Sequence, residues 1–268
     1  MKIGFVGFGN MAGAIAGGIL VSGKIPCTEV CVYDHGERGR AKAAEKGFTL
    51  LSSCAQVADQ AKYIFLCVKP QNFPEILPQL ATADLKGKII VSIAAGITTS
   101  TIKSVLGKDQ IVVRTMPNTP LLVGCGTTVI SADPRMGHAE LTFVKEIFKS
   151  VGTVYELPED KINETVSLNG STPAFIYLLA DTAAQNAVKY GIAYETALAM
   201  FCDTLKGSAE MMLKTGKTPQ ELITMVSSKG GTTVAALDRY QELGLAPVFA
   251  AGLDRCIERA YEMGKEKK

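Results

Sequence analysis

The chain is poor in the residues that build metal centres, disulfide frameworks and nucleic-acid surfaces. Only two histidines, His35 and His138, are available beside seven cysteines that scatter from Cys27 to Cys256 without a C-x-x-C pair. A zinc site is therefore not expected, nor is any other metal. The odd, unpaired cysteine count fits a reducing cytoplasm. The formal net charge is only +2, and no basic stripe with interleaved aromatics marks a nucleic-acid partner. The single basic run, Lys265-Glu266-Lys267-Lys268, reads as a solvated end. Nor is there a clean hydrophobic run. The apolar stretch from Lys2 to Val21 resembles a signal peptide or membrane anchor, but six glycines before Leu20 and the polar Asn10 interrupt it. No small-residue cleavage site is followed by a plausible mature start, so no membrane partner is expected. What remains is an ordinary globular composition, 47% hydrophobic and 20% charged over 268 residues, long enough for two domains.

Met1 to Ala12 reads as a short buried strand running into a glycine turn and a helix. In G-x-G-x-x-G/A, Gly7 makes the tight turn, Gly9 lets the backbone approach a pyrophosphate, and Ala12 packs helix on strand. The pyrophosphate would sit on unpaired N–H groups at the helix N-terminus. A second strand, Val30-Cys31-Val32-Tyr33, ends at Asp34, about twenty residues beyond the turn, where an acid binds an adenine-ribose hydroxyl.

Short apolar runs then alternate with polar or helical stretches: residues 63–68, 89–93 and 110–114, with further strands near 127–130 and 153–155 and a helix from about 135 to 150. Continuous apolar strands are buried on both faces, which predicts a doubly wound, mostly parallel α/β domain over residues 1–158. After Pro158 strand signals vanish, and an all-α domain is expected over 159–268. A helix starts at Ser171-Thr172-Pro173 and runs to Tyr190, with Gly191 as its stop; the next spans 195–213. The first is apolar nearly all round, with Phe175, Ile176, Leu178, Leu179 and Ala180. Cover from a partner subunit is the economical answer; a packed monomeric bundle is the alternative.

The turns at the carboxyl ends of the strands face the expected ligand crevice. Val68-Lys69-Pro70, Ala94-Ala95-Gly96 and Met116-Pro117-Asn118-Thr119-Pro120 would form a rigid floor near the nicotinamide ribose. Lys69 and Asn118 offer polar contacts, or are simply a solvated loop lysine and a turn-forming asparagine. Farther on, the helical pattern from Pro219 breaks at Gly230-Gly231, just after Ser227-Ser228-Lys229, and another begins at Thr232-Thr233. A glycine loop leading into a Thr-capped helix presents N–H groups and hydroxyls to an anion; an ordinary helix-loop-helix is the plainer reading.

Over its whole length the chain resembles the pyrroline-5-carboxylate reductases. The resemblance rests on residues 7–12, 68–70, 94–96 and 116–120, on Gly170-Ser171 with Pro173-Ala174, and above all on Val226-Ser227-Ser228 with Gly230-Gly231-Thr232-Thr233. It implies a Rossmann domain followed by a helical domain that interlocks with its partner as a homodimer, often building a decamer. It also implies hydride transfer from NADH or NADPH to the imine carbon of pyrroline-5-carboxylate, giving proline. By resemblance, Gly231, Thr232 and Thr233, with Ser228, Gly230 and Ser171, hold the substrate, and the Thr233 hydroxyl bonds the ring nitrogen as the catalytic contact. Gly7, Phe8, Gly9, Asn10, Met11, Asp34, Val68, Lys69, Pro70, Ala94, Ala95, Gly96 and Asn118 would hold the cofactor. Asn169-Gly170-Ser171-Thr172-Pro173 departs from the family's commoner Ser-Gly-Ser-Gly-Pro, Lys229 stands where proline is usual, and Cys54 replaces an asparagine that touches the adenine ribose in many relatives. On cofactor choice, Asp34 favours NADH, whereas the habit of many family members favours NADPH and Arg38 and Arg40 either bind its extra phosphate or form a solvated helix face; NADH is expected to be used at least as well as NADPH. β-Hydroxyacid dehydrogenases and imine reductases share the two-domain plan but lack the Ser-Ser-x-Gly-Gly-x-Thr loop. A non-catalytic nucleotide sensor is the remaining alternative.

Overall fold

The computed structural model describes residues 2–265, so Glu266, Lys267 and Lys268 of the basic tail lie outside the described residues. Contacts divide the chain into two compact units, one formed by residues up to Ser171 together with Cys256 onward, the other by Thr172–Arg255.

In the first unit eight strands form one sheet. They are β1 (Ile3–Val6), β2 (Val30–Tyr33), β3 (Thr49–Leu50), β4 (Tyr63–Leu66), β5 (Ile89–Ser92), β6 (Ile111–Met116), β7 (Gly126–Ala132) and β8 (Gly152–Glu156), in the order β3-β2-β1-β4-β5-β6-β7-β8. From β3 to β6 every pairing is parallel. β7 runs antiparallel to β6, with β8 parallel to β7. The reversal has a simple cause. Only residues 117–125 join β6 to β7, too few for the dozen or more that a parallel crossover needs.

β1, β4 and β5 are buried along their whole length, as expected of strands covered on both faces. Side chains alternate between two cores. Ile3 and Phe5 join the cluster formed with α1 (Asn10–Ser22) and α6 (His138–Lys149), whereas Val6 joins the cluster under α3 (Cys54–Gln60), α4 (Phe73–Leu80) and α5 (Thr99–Leu106). Phe5 lies between Phe8 and Phe65, with ring centroids 5.7 and 5.1 Å away. Gly4 has no room for a side chain, because a Cβ there would lie 2.3 Å from Val57 Cγ1. Between β2 and β3 runs α2 (Glu37–Glu45).

The second unit holds α7 (Thr172–Val188), α8 (Tyr194–Lys214), α9 (Pro219–Met225), α10 (Thr232–Glu242) and the first half of α11 (Leu245–Lys265). α7 packs along α8, the Tyr194 hydroxyl donating to Asp181 Oδ1 at 2.8 Å. Thr218 and Glu221 close a capping box at the start of α9. Very little of this unit is enclosed: of its residues only Pro173, Ala180 and Ala184 are buried, all on α7, while Leu178 is 66% exposed and Leu213 76%. Among the described residues no helix is long and apolar enough to cross a membrane, and no cluster could hold a metal ion.

Candidate active site

The glycine turn joins β1 to α1 at the switch point of the sheet, where β1 lies between β2 and β4. Gly7 has φ +87°, and a Cβ there would lie 2.8 Å from Val68 Cγ1 and 3.0 Å from the Cys67 carbonyl, so both conformation and space demand glycine. Gly9 differs. As the N-cap of α1 it has an ordinary φ of −79°, and a Cβ would meet nothing within 4 Å. That empty approach lies beside first-turn N–H groups which helix geometry leaves without intrahelical partners and which no side chain caps. Gly9, Asn10 and Met11 thus form a cradle that fits a pyrophosphate. The Asn10 side chain takes Lys42 Nζ at 3.0 Å.

Asp34 follows β2 and reaches back to this turn. Its carboxylate accepts the Phe8 N–H at 2.5 Å and the Gly36 N–H at 2.7 Å. Arg40 donates to His35 O at 2.9 Å and less closely to Asp34 O. Arg38 is exposed. Val68, Lys69 and Pro70 leave β4 beside Gly7, with Lys69 in solvent. Ala94, Ala95 and Gly96 leave β5. Gly96 has φ +75°, and a Cβ on it would lie 3.1 Å from both Ala260 O and Met263 Cβ, so this turn is packed against the end of α11. Cys54 is fully buried and donates to Gln79 Oε1 at 3.4 Å; burial pushes its thiol up.

Asn118 is 8% exposed and tied into the chain itself. Its Oδ1 takes the Thr127 N–H at 2.8 Å and its Nδ2 donates to Asn169 O at 3.3 Å. Asn169 completes the clamp, donating to Met116 O at 2.8 Å and Thr127 O at 3.2 Å. It belongs to a wide helical turn, Val166–Gly170, that precedes Ser171 and is absent from the sequence reading. Ser171 Oγ accepts the Cys256 thiol at 3.1 Å. A buried arginine was also not singled out from sequence. Arg114, in β6, donates to Asn163 Oδ1 at 2.6 Å and lies 3.9 Å from Glu159, whose carboxylate takes the Thr99 N–H at 2.6 Å. Burial draws the Arg114 pKa down while Glu159 opposes the shift. An arginine inside an apolar strand pattern was the available signal.

In the second unit the Ser-Gly-Thr segment forms the entry to α10. Gly230 has φ +72°, a conformation that favours glycine, and a Cβ at Gly231 would crowd Ser228, at 2.6 Å from its Oγ and 3.0 Å from its carbonyl oxygen. Gly231 turns its own N–H back to Ser228 O at 2.9 Å. The donors left at the uncapped start of α10 are those of Thr232, Thr233 and Val234. Ser228, Lys229 and Thr232 are exposed there, and Thr233 is half-buried.

Strand order, glycine cradle and the acid after β2 together define a dinucleotide-binding oxidoreductase of the Rossmann class, using NADH or NADPH. Residues 159–263 match the family model for pyrroline-5-carboxylate reductase dimerisation, and residues 2–96 that for NADP oxidoreductase, coenzyme F420-dependent. The chain is 34% identical to pyrroline-5-carboxylate reductase 3 of Danio rerio, covering 100% of this chain and 93% of that one. It is 33% identical to pyrroline-5-carboxylate reductase of Escherichia coli, covering 98% of each. Similar solved structures include the Plasmodium falciparum pyrroline carboxylate reductase with NADP bound (TM-score 0.91, 26% identity) and the Streptococcus pyogenes 1-pyrroline-5-carboxylate reductase (TM-score 0.89, 29% identity), with 98% of both chains covered in each case. The chain belongs to the pyrroline-5-carboxylate reductase family.

Proposed function

We propose that the protein reduces 1-pyrroline-5-carboxylate to L-proline at the expense of NADH or NADPH, the last step of proline biosynthesis. The observation that carries this reading is the entry to α10, where Gly230, with φ +72°, and Gly231 lead into an uncapped helix start rich in hydroxyls. The N–H groups of Thr232 and Thr233 suit a carboxylate, which the helix dipole also favours. The Thr233 hydroxyl serves as the contact to the ring nitrogen, with Ser228 and Ser171 as further polar contacts. On the nucleotide side, Gly9, Asn10 and Met11 hold the pyrophosphate, Asp34 the adenine ribose, and the turns at 68–70 and 94–96 wall the nicotinamide half. Asn118 serves that wall by fixing the turn after β6.

A reduced nicotinamide supplies the hydride. That hydride, one proton with two electrons, would reach the imine carbon as the C=N π pair moves onto the nitrogen at the Thr233 hydroxyl, so that reduction of the imine balances oxidation of the donor. No residue from Val226 to Val234 is an acid. None is needed if the substrate enters as its iminium, since the nitrogen then already carries its proton. The chain's task is positioning, which holds the imine carbon within about 3.5 Å of the donor carbon and excludes water.

The exposed apolar faces of α7 and α8 support a homodimer, with a decamer as the larger assembly. Seven free thiols are consistent with a cytoplasmic location. Steady-state kinetics with pyrroline-5-carboxylate and each reduced cofactor test the activity: proline formed in step with cofactor oxidation is expected, and no turnover with either refutes it.

A further inference from the structure

We propose that Asp34 makes this protein an NADH-selective member of its family. The inference rests on the cofactor reading above and concerns only the adenine-ribose end of that site. A carboxylate there is not free to swing away. Two backbone N–H groups hold it, Phe8 at 2.5 Å from the glycine turn and Gly36 at 2.7 Å from its own loop. Its other side is closed by Gly39, where even a Cβ would lie 2.4 Å from Asp34 Cγ. Gly36 is the N-cap of α2, so the chain's own carboxylate already occupies the spot where a helix start would attract an anion.

A ribose bearing two free hydroxyls suits this arrangement, because the carboxylate keeps lone pairs to accept them. A 2′-phosphate does not suit it. It would bring a second anion against a fixed first one and would also remove a hydroxyl donor. The charged groups around Asp34 do not reverse the balance. Glu37, at the first turn of α2, adds a further negative charge. Arg40 is bonded to the backbone carbonyls of His35 and Asp34, and Lys42 is bonded to Asn10. Arg38 is exposed and screened by solvent.

Calorimetric titration of the whole protein with NADH and with NADPH, without substrate, tests the proposal. NADH is expected to bind at least tenfold more tightly, about 1.4 kcal/mol. Asp34→Ser and Asp34→Asn are expected to move the ratio at least tenfold towards NADPH; the asparagine keeps the shape and an acceptor if the serine folds poorly. Arg40→Ala should leave the ratio within threefold. Equal or tighter binding of NADPH by the unaltered protein overturns the proposal. So does a ratio unchanged in both Asp34 variants, or a tenfold loss of NADPH binding in Arg40→Ala. Because no substrate is present, the ratio decides cofactor choice whether or not pyrroline-5-carboxylate is reduced. Failure of both cofactors to bind overturns the cofactor reading as well.

Discussion

Replacing Gly7 and Gly9 by alanine, one at a time, is expected to separate folding from cofactor binding within a single turn. At Gly7 a methyl group meets the Cys67 backbone at 3.0 Å and Val68 Cγ1 at 2.8 Å, and φ is +87°. The left-handed conformation costs about 1–2 kcal/mol for a residue with a Cβ, and crowding against the packed turn after β4 about 1–3 more. Gly7→Ala should therefore lose roughly 2–5 kcal/mol in urea unfolding. At Gly9, φ is −79° and a methyl meets no protein atom within 4 Å. Alanine there gains about 0.4–1 kcal/mol from a stiffer unfolded chain and loses a similar amount as a poorer N-cap, so stability should hardly move. The methyl does fill the approach to the first-turn donors. Loss of one charge-assisted hydrogen bond, about 1.5–3 kcal/mol, corresponds to roughly 10- to 150-fold weaker NADH binding. Calorimetric titration beside urea curves reads both quantities. Unchanged NADH affinity in Gly9→Ala would refute the assignment of the pyrophosphate to this cradle.

Thr233→Ala should fold normally yet lose about 10- to 100-fold in turnover, or roughly 1–3 kcal/mol, and wild-type kinetics would remove its assigned role. Dilution is expected to give no active monomer, because Leu178 and its neighbours on α7 would be left bare; sedimentation of a fully active monomer at assay concentration would contradict this. The acid limb of stability should depend on Asp133. Its carboxyl is held well below the ordinary range by hydrogen bonds from Arg135 at 2.8 Å and Lys103 at 2.6 Å, with burial opposing. A depressed folded value means stability that is complete above the unfolded value near pH 4 and declines as pH falls towards the folded one. Urea midpoints between about pH 4 and 2 should fall less steeply in Asp133→Asn than in the wild type, and parallel slopes would show that Asp133 contributes nothing.

β1, β2, β4 and β5 were legible because each is a short, buried, mostly apolar run, and Gly7 and Gly9 marked the turn. β3 escaped notice, since two residues at a sheet edge carry no periodicity. So did the direction of β7, which follows from the length of the connection before it. Asn118 and Asn169 bond across segments some fifty residues apart, and such pairing leaves no local trace. α7 and α8 were readable to within two residues of their ends because both stop at turns, α7 before Gly191 with φ +81°. Gly231 was expected to lend its N–H to a ligand, but the local turn takes it, a detail that depends on backbone geometry alone.

The packing of Gly96 against the end of α11 bears on how the chain folds as it is made. A Cβ on Gly264 would lie 2.7 Å from Gly96 O, so the turn after β5 is matched to residues more than 160 positions later. The first unit closes only with Cys256 onward, and Thr172–Arg255 is an insertion within it. During synthesis the sheet can assemble early from local β-α-β units, but the turn after β5 must wait, uncovered, until residues 260–264 have left the ribosome.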